Sequence, residues 1–201
     1  KYFDLTLALN QYYFRNTQIY LQLLLNRYVV ITETIAANLS IPPGKTSRDL
    51  LSTNLFIKAV LPNMDTFAKK GYNLSSEASS SQVGKALMVE TDELSSVQTQ
   101  TGIHLPPSIV SRFQNIPNYS FRLSLSIYQN HKLFQFVDES EAFANETASR
   151  KWFVNTRVIS CSVAGTTMSN LTEPVVTVFE PLEEREGFPV CAFWDFGANG
   201  K

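Results

Sequence analysis

The run Leu171-Thr-Glu-Pro-Val-Val-Thr-Val-Phe179 is followed, after a charged segment, by Pro189-Val-Cys-Ala-Phe-Trp-Asp-Phe196. Both runs are rich in β-branched and aromatic residues, which are enriched in strands. The segment between them, Glu183-Glu-Arg-Glu-Gly187, is too polar to pack and ends in a turn-forming glycine. The sequence therefore predicts a strand, a charged hairpin turn and a second strand, on which Cys191 is available for a disulfide.

Composition limits the class of protein. The chain has 201 residues, of which 44% are hydrophobic and 17% charged, which predicts one domain or two closely packed lobes. The net charge of -1 gives no reason to expect nucleic acid as a partner. Neither a transmembrane run of about eighteen apolar residues nor a signal peptide is evident. Because the first residue is Lys1 and not Met, we expect a fragment of a longer protein.

Residues 1–38 have a helical pattern, either unbroken or interrupted near residues 15–17. The helix is expected to end before Pro42, because proline cannot continue it. Apolar residues recur at spacings of three and four, which is typical of an amphipathic helix, and the stripe is predicted to be buried. The stripe consists of Leu21, Leu24, Tyr28, Ile31 and Ile35.

The middle of the chain changes from helix to strand. Residues 45–52 are interpreted as a connector, with one helical turn over residues 47–51. Residues 54–61 are predicted to form a strand, although a helix over residues 47–61 also fits the pattern. The serine-rich residues 73–85 are predicted to form a solvated loop.

The clearest strand is residues 120–128, where apolar residues alternate with Arg and Ser. This period of two predicts a half-buried antiparallel strand. A turn at residues 129–132 and a returning strand at residues 133–137 are expected to follow, and a further strand at residues 158–163. Helices followed by closely spaced strands predict an α+β fold: N-terminal helices, then an antiparallel β-sandwich.

Few residues suggest catalysis or metal binding. The two histidines and two cysteines lie far apart without metal-ligand spacing, so no metal and no cofactor are predicted. His104 lies opposite in phase to Ile103 and Leu105 and is interpreted as an exposed strand residue. Glutamates cluster in the polar turn, where a solvated charge run is favoured over an acid–base pair, at Glu180, Glu183, Glu184 and Glu186.

Five N-x-Ser/Thr sequons, each at or near an expected loop or element end, indicate a secreted or extracellular chain. Their asparagines, predicted glycosylation sites, are Asn38, Asn73, Asn118, Asn145 and Asn170.

The Leu-Thr-Glu-Pro-Val-Val run followed by Cys-Ala-Phe-Trp-Asp-Phe resembles the start of the GPS motif, the last part of the GAIN domain of adhesion G-protein-coupled receptors. Four further segments resemble parts of that domain in the same order. They are Asn-Leu-Phe-Ile-Lys at 54–58, Leu-Pro-Pro-Ser at 105–108, the Ser-Ile-Tyr-Gln-Asn-His-Lys-Leu-Phe hairpin at 126–134 and Asn-Thr-Arg-Val-Ile-Ser at 155–160. The resemblance favours the strand over the helix at residues 54–61. It implies that residues 1–50 are the C-terminal helices of GAIN subdomain A plus a connector. Residues 51–201 would be the subdomain B sandwich, ending before the GPS motif is complete.

The resemblance also implies a function, since cleaving members of the family cut themselves at a His-Leu-Thr or His-Leu-Ser tripeptide. The His acts as a base, and the hydroxyl attacks the carbonyl that precedes it. That tripeptide would lie beyond Lys201, and His104-Leu105-Pro106 cannot replace it, because proline has no hydroxyl. This chain is therefore predicted to contain no catalytic residue, which leaves open whether the protein is an enzyme.

As implied by the family, the domain shelters the strand after the cleavage point, a tethered agonist for the receptor's seven-helix domain at the cell surface. Expected partners are that strand, the seven-helix domain, extracellular protein ligands and, indirectly, a G protein. Cys191 would pair with a cysteine beyond Lys201. A Cys161–Cys191 bridge is the less favoured alternative, and Cys161 otherwise fits a small buried hydrophobe.

A different class of function also fits the sequence: a glycosylated extracellular adhesion or ligand-binding module that is not cleaved. An enzyme acting on an external substrate is the least favoured hypothesis.

Overall fold

A computed structural model describes residues 23–78, 86–90, 99–113, 121–134, 153–163, 168–184 and 187–194. Contacts group the chain into two compact units. The larger comprises residues 33–132 and 154–185, and the smaller comprises residues 1–32, 133–153 and 186–201. Every described strand lies in the larger unit.

The described chain contains short helices and eight strands. The helices are α1 (residues 23–38), α2 (Met64–Lys70) and α3 (Ser108–Ser111), with a 3-10 turn at Lys132–Phe134. The strands are β1 (Ser47–Leu51), β2 (Leu55–Val60), β3 (Tyr72–Ala78), β4 (Ala86–Glu90), β5 (Thr99–Leu105), β6 (Leu123–Tyr128), β7 (Val158–Val163) and β8 (Val176–Phe179). No helix among these residues is long and apolar enough to cross a membrane.

The strands form two four-stranded antiparallel sheets, ordered β1-β2-β6-β7 and β4-β3-β5-β8. One hydrophobic core lies between them and draws side chains from both sheets and from both short helices. From the first sheet come Phe56, Leu125 and Val163, among others. Leu74 and Ile103 come from the second. The predicted antiparallel sandwich is therefore confirmed.

Helix α1 ends before Pro42 as predicted, but the prediction that its apolar stripe is buried is wrong. Leu24, Tyr28, Ile31 and Ile35 are all exposed, and Leu21 lies outside the described residues. The buried positions lie on another face of the helix, at Asn26, Val29, Thr32 and Ala36. The sequence pattern identified an apolar face correctly, but it could not show which face the fold covers.

The predicted helical turn at residues 47–51 and the predicted loop at residues 73–78 were both wrong, because strand pairing overrode the local pattern. Residues 47–51 form β1 instead of a helical turn, because they pair with β2 from Ser47↔Val60 to Leu51↔Phe56. Residues 73–78 belong to β3 instead of a solvated loop. Strand β3 pairs with both β4 and β5, which buries Ser75 and Ser76 completely. Residues 79–85 lie outside the described residues.

Strand β6 was predicted to be half-buried, yet all six of its residues are buried. The reason is tertiary: its core face packs in the sandwich, and its serine face is covered by the end of α1. The expected returning strand at 133–137 does not begin at residue 133, since Lys132–Phe134 is a 3-10 turn. Residues 135–137 lie outside the described residues.

The sequence interpretation missed α2, although its capping signals are present. Asn63 is the N-cap, and its Oδ1 accepts a hydrogen bond from the Thr66 amide (3.1 Å). Asp65 lies in the first turn and Lys69 in the last, where each complements the helix dipole. Gly71 ends the helix with φ 75° and ψ −164°, a region that only glycine commonly adopts.

Gly71→Ala is expected to lower the free energy of unfolding by about 3 kcal/mol or more. The backbone strain costs ~1–3 kcal/mol and overpacking adds ~1–3 kcal/mol, because the new Cβ would lie 2.5 Å from the Leu105 carbonyl oxygen. Gly44→Ala is the matched control, since Gly44 also has φ 75° but has nothing within 4 Å of its Cβ position. Urea unfolding of both variants measures the difference, and equal losses would contradict this account.

Candidate functional site

The Leu-Thr-Glu-Pro segment is fixed to the short helix α3. The backbone of Asn170 adopts the left-handed conformation (φ 51°), and its carbonyl accepts a hydrogen bond from the Arg112 guanidinium. Three residues later, Oε2 of Glu173 accepts a hydrogen bond from the Ser108 amide at the start of α3 (3.1 Å). The start of the terminal motif is therefore fastened to the sandwich before β8 begins.

Strand β8 then adds to the edge of the second sheet, pairing with β5 from Thr101↔Phe179 to His104↔Val176. The predicted strand over 171–179 is confirmed only for Val176–Phe179. Residues 171–175 carry no strand, because α3 holds this part of the chain through side-chain contacts.

Beyond β8 the chain crosses from the second sheet to the first. The Leu182 amide donates to the Asn155 carbonyl (2.8 Å). The Asn155 side chain donates to the Glu183 carbonyl (2.8 Å) and accepts from the Glu183 amide (3.1 Å). Pro181 also forms an isolated bridge with Thr156. Asn155 thus ties the segment after β8 to the chain that enters β7, a role that the sequence interpretation missed.

Arg157 lies at the same crossing. Burial lowers the pKa of its guanidinium, and the negative charge of Glu180 opposes that shift. Because an arginine stays protonated at any physiological pH, this side chain is a permanent positive charge close to the start of β7.

The predicted charged hairpin is wrong, because residues 187–194 form no strand. The chain after β8 is instead bound by Asn155, and the second run finds no ladder partner within the described chain. Phe188 is 98% exposed and Phe193 is 85% exposed, with Val190 also exposed. Residues 195 and 196 lie outside the described residues.

Trp194 has partners within the smaller unit. Its indole Nε1–H donates to Oδ1 of Asn26 (2.9 Å). Its ring meets Phe134 edge to face, with ring centroids 5.2 Å apart. These contacts make Trp194 a packing residue of the smaller unit.

The two sheets end in β7 and β8, which are edge strands of the described sandwich. The bridge between Thr156 and Pro181 shows that these two edges lie on the same side. Ile159 and Cys161 on β7 are only partly buried, and Val176 and Phe179 on β8 are exposed. This side of the described sandwich therefore combines unpaired backbone edges with apolar side chains that are incompletely covered.

Both cysteines are free thiols, so the less favoured Cys161–Cys191 bridge is not formed. Cys191 is exposed, and its pairing with a cysteine beyond Lys201 stays a prediction. Cys161 packs against the core as predicted for a small hydrophobe. Burial, and to a smaller extent the negative charge of Glu33, raise the pKa of its thiol to about 12, which makes it a poor nucleophile at neutral pH.

The predicted glycosylation sites lie in different environments. Asn38 and Asn170 are exposed, at the end of α1 and before β8. Asn73 is half-buried within β3, and Nδ1 of His104 donates to its Oδ1 (2.5 Å). His104 was predicted to be exposed but is half-buried, because it pairs with Asn73 and packs over Gly71. Asn118 and Asn145 lie outside the described residues.

Two sequence comparisons relate the chain to known proteins. The profile of a family described as GPS: GAIN subdomain B matches residues 54–201, more than half of the chain. A 69-residue segment is 30% identical to the mouse (Mus musculus) protein Adhesion G-protein coupled receptor G4. That segment is 33% of this chain but only 2% of the relative, so the chain spans a small part of it.

A structural comparison supports the fold. The chain resembles the full extracellular region of zebrafish Gpr126/Adgrg6 with a TM-score of 0.56 and 23% identity. The match covers 78% of this chain and 19% of the other. At this identity the likeness concerns the fold alone, and it confirms the α+β class with an N-terminal helix followed by antiparallel sheets.

Cys161→Ala is expected to flatten the alkaline decline in stability. An unfolded thiol titrates near ~8.5, while the pKa of Cys161 in the fold is about 12. The unfolded state therefore loses its proton first, so the free energy of unfolding falls as pH rises through this window. Below about pH 8.5 both states hold the proton and the thiol contributes no slope. Urea unfolding across the pH range measures the slope, with Cys191→Ala as the exposed-thiol control. An unchanged slope in Cys161→Ala would contradict the assignment.

Glycan occupancy is expected to be lower at Asn73 than at Asn38 and Asn170, because the Asn73 side chain is half-buried and hydrogen-bonded to His104. His104→Ala should raise occupancy at Asn73 and leave the other two sites unchanged. Peptide mass spectrometry before and after enzymatic deglycosylation gives the occupancies. Full occupancy of Asn73 in the unmodified sequence would show that this hydrogen bond does not protect the site.

Proposed function

This chain belongs to the GPS family (GAIN subdomain B) and is a GAIN-domain region of the adhesion G-protein-coupled receptor type, and we propose that its sandwich shelters a downstream strand that acts as the receptor's tethered agonist. The observation that carries this proposal is the side of the sandwich where, among the described strands, β7 and β8 are both edge strands.

Edge strands present unpaired N–H and C=O groups, which can accept an added strand through main-chain hydrogen bonds. The apolar residues at this side, Val176 and Phe179 on β8 and Ile159 on β7, would gain cover from such a strand. Backbone pairing supplies affinity, and pockets for alternate side chains supply specificity. A strand held in this way stays bound after its peptide link is cut, so the rate of its release is set by the activation barrier for breaking these contacts.

The exposed apolar residues of the terminal motif support the same proposal. Phe188, Val190 and Phe193 lie close together in sequence and are largely exposed. Large exposed apolar patches mark surfaces that bind another part of a protein. We expect the continuation of the GPS motif to cover them, with Cys191 joined there to a downstream cysteine.

In this proposal the chain supplies the scaffold for self-cleavage and not the reacting groups. The base and the hydroxyl nucleophile belong to a tripeptide downstream of Lys201 and must lie within hydrogen-bond reach of each other. The segment from Asn170 to Glu183, fastened by Arg112, Ser108 and Asn155, holds the motif's start in place. A rigid start positions the strand that enters the cleavage point.

We further propose that the N-terminal helices end the helical lobe of the GAIN domain, subdomain A. The sandwich lobe then begins with β1 at Ser47, and not at residue 51 as expected from the sequence, because β1 pairs with β2 in the first sheet. The exposed stripe of α1 supports this division, because Leu24, Tyr28, Ile31 and Ile35 repeat at the spacings of a helix–helix seam. Other helices of the lobe would pack on it. The domain would lie outside the cell, with the seven-helix domain of the same receptor as its partner, a G protein acting indirectly and extracellular proteins as possible ligands.

The test uses a longer stretch of the receptor, from Lys1 through its seven-helix region. After deglycosylation, we expect two fragments on a denaturing gel. In native size-exclusion chromatography the same two fragments should co-elute as one species. Replacing the cleavage hydroxyl residue by alanine should give one unbroken chain of the same native size. Two fragments that separate under native conditions would contradict the sheltered-strand proposal.

An unbroken chain in the natural sequence would instead favour the second function, a glycosylated adhesion or ligand-binding module. The exposed sequon residues Asn38 and Asn170 favour this alternative. In that case the fold stands, but the sandwich does not scaffold self-cleavage.

A further inference from the structure

The last turns of α1 lie on a surface of small residues. On the outer face of the first sheet, Ala59, Ser124 and Ser162 are register partners across β2, β6 and β7. Ile57, Ser126 and Ser160 form the next row. Small side chains let a helix approach the sheet closely, and Ala36 of α1 is completely buried there.

Two polar contacts fix this part of the helix. At one end, the Glu33 carboxylate accepts hydrogen bonds from the Tyr128 hydroxyl (3.0 Å) and the Ser160 hydroxyl (2.8 Å). At the other end, the Arg122 guanidinium donates to the carbonyl of Ala36 (3.3 Å) and to that of Leu39. Because Tyr128 and Arg122 lie at opposite ends of β6, the helix runs antiparallel to that strand.

Between the two contacts, the surface beneath the helix contains buried serine hydroxyls whose hydrogen-bonding capacity the described chain does not satisfy. The hydroxyls of Ser124, Ser126 and Ser162 are buried and have no hydrogen-bond partner among the described residues. A buried hydroxyl without a partner costs free energy that water restores when the group becomes exposed. Lifting the helix would therefore hydrate these three groups.

Little apolar area opposes that gain. Within residues 33–39 the buried apolar side chains are those of Ala36 and Leu39, while Ile35 is exposed. The charged groups Glu33 and Arg122 also regain water on lifting. The balance between hydrating polar groups and exposing apolar area is different in the inner core, where aromatic and aliphatic side chains from both sheets pack together.

We propose that residues 33–39 form a strap, held by Glu33 and Arg122, that undocks from the outer face of the first sheet while the sandwich stays folded. Undocking exposes the serine surface of β6 and β7 but leaves the strand ladders paired. The strap is a switchable element in the sandwich itself, and it does not depend on self-cleavage or on a sheltered strand.

The test is thiol labelling in the full chain with Cys161 and Cys191 replaced by alanine. Ser126→Cys places a thiol beneath the strap, where the native residue is completely buried. Val60→Cys places the matched control thiol in the core between the sheets. We expect the Cys introduced at 126 to react at least tenfold faster than that at 60, with a weaker dependence on urea. Equal rates with equal urea dependence would overturn the proposal.

Substitutions at the hydrogen bonds of Glu33 distinguish undocking of the strap from a general loss of stability of the sandwich. Glu33→Ala should speed labelling at position 126 about tenfold or more, because charge-assisted hydrogen bonds are lost, with no change at position 60. Where Glu33→Ala does not fold, Tyr128→Phe removes one of the two donors and should give a smaller change in the same direction. An unchanged labelling rate at position 126 would overturn the role of Glu33 in holding the strap.

Ser124→Ala should change the labelling rate at position 126 in the opposite direction. Because the Ser124 hydroxyl has no hydrogen-bond partner within the part of the chain that the structure describes, its removal should strengthen docking and slow labelling at position 126. Faster labelling would mean that the hydroxyl stabilises the docked helix, and it would overturn the account of an unsatisfied surface.

Discussion

The paired strands β2 and β6 are covered on both faces, and the arrangement of the other elements follows from how each face is covered. Every residue of both strands is buried. The second sheet covers the inner face, where Phe56, Leu125 and Ile127 join the core. The outer face presents Ala59, Ser124 and Ser126, whose small size requires a close-fitting cover. The end of α1 supplies that cover through Ala36 and Glu33, and its large apolar residues are left facing outward.

The sequence predicted the features that depend on local pattern. The period of two over 120–128 identified β6, Pro42 marked the end of α1, and closely spaced strands without intervening helices predicted an antiparallel sandwich. Features that depend on tertiary pairing were missed: the buried serines of β3, the strand at 47–51 and the face of α1 that is buried. The Asn63 and Gly71 caps were readable in the sequence and could have located α2.

For the candidate site, too, some features could be predicted from the sequence and others could not. Sequence resemblance identified the terminal motif and its family, because its residue types are distinctive. It could not show that Asn155 captures the chain after β8 or that Glu173 binds the start of α3, since those contacts join residues far apart in sequence. Both contacts stiffen the approach to the motif, while β7 and β8 are edge strands in the described part of the sandwich. An edge strand with unpaired backbone groups is what the addition of a further strand depends on.

The most direct test of this account is amide hydrogen exchange at the outward-facing amides of β7 and β8. The exchange is measured in this chain and in one extended through the complete GPS motif and the strand that follows it. If the sandwich receives that strand, some of these amides become strongly protected in the extended chain, while the inner strand β2 is unchanged. Equal exchange at β7 and β8 in both chains would contradict the central claim that this side of the sandwich is a strand-binding edge.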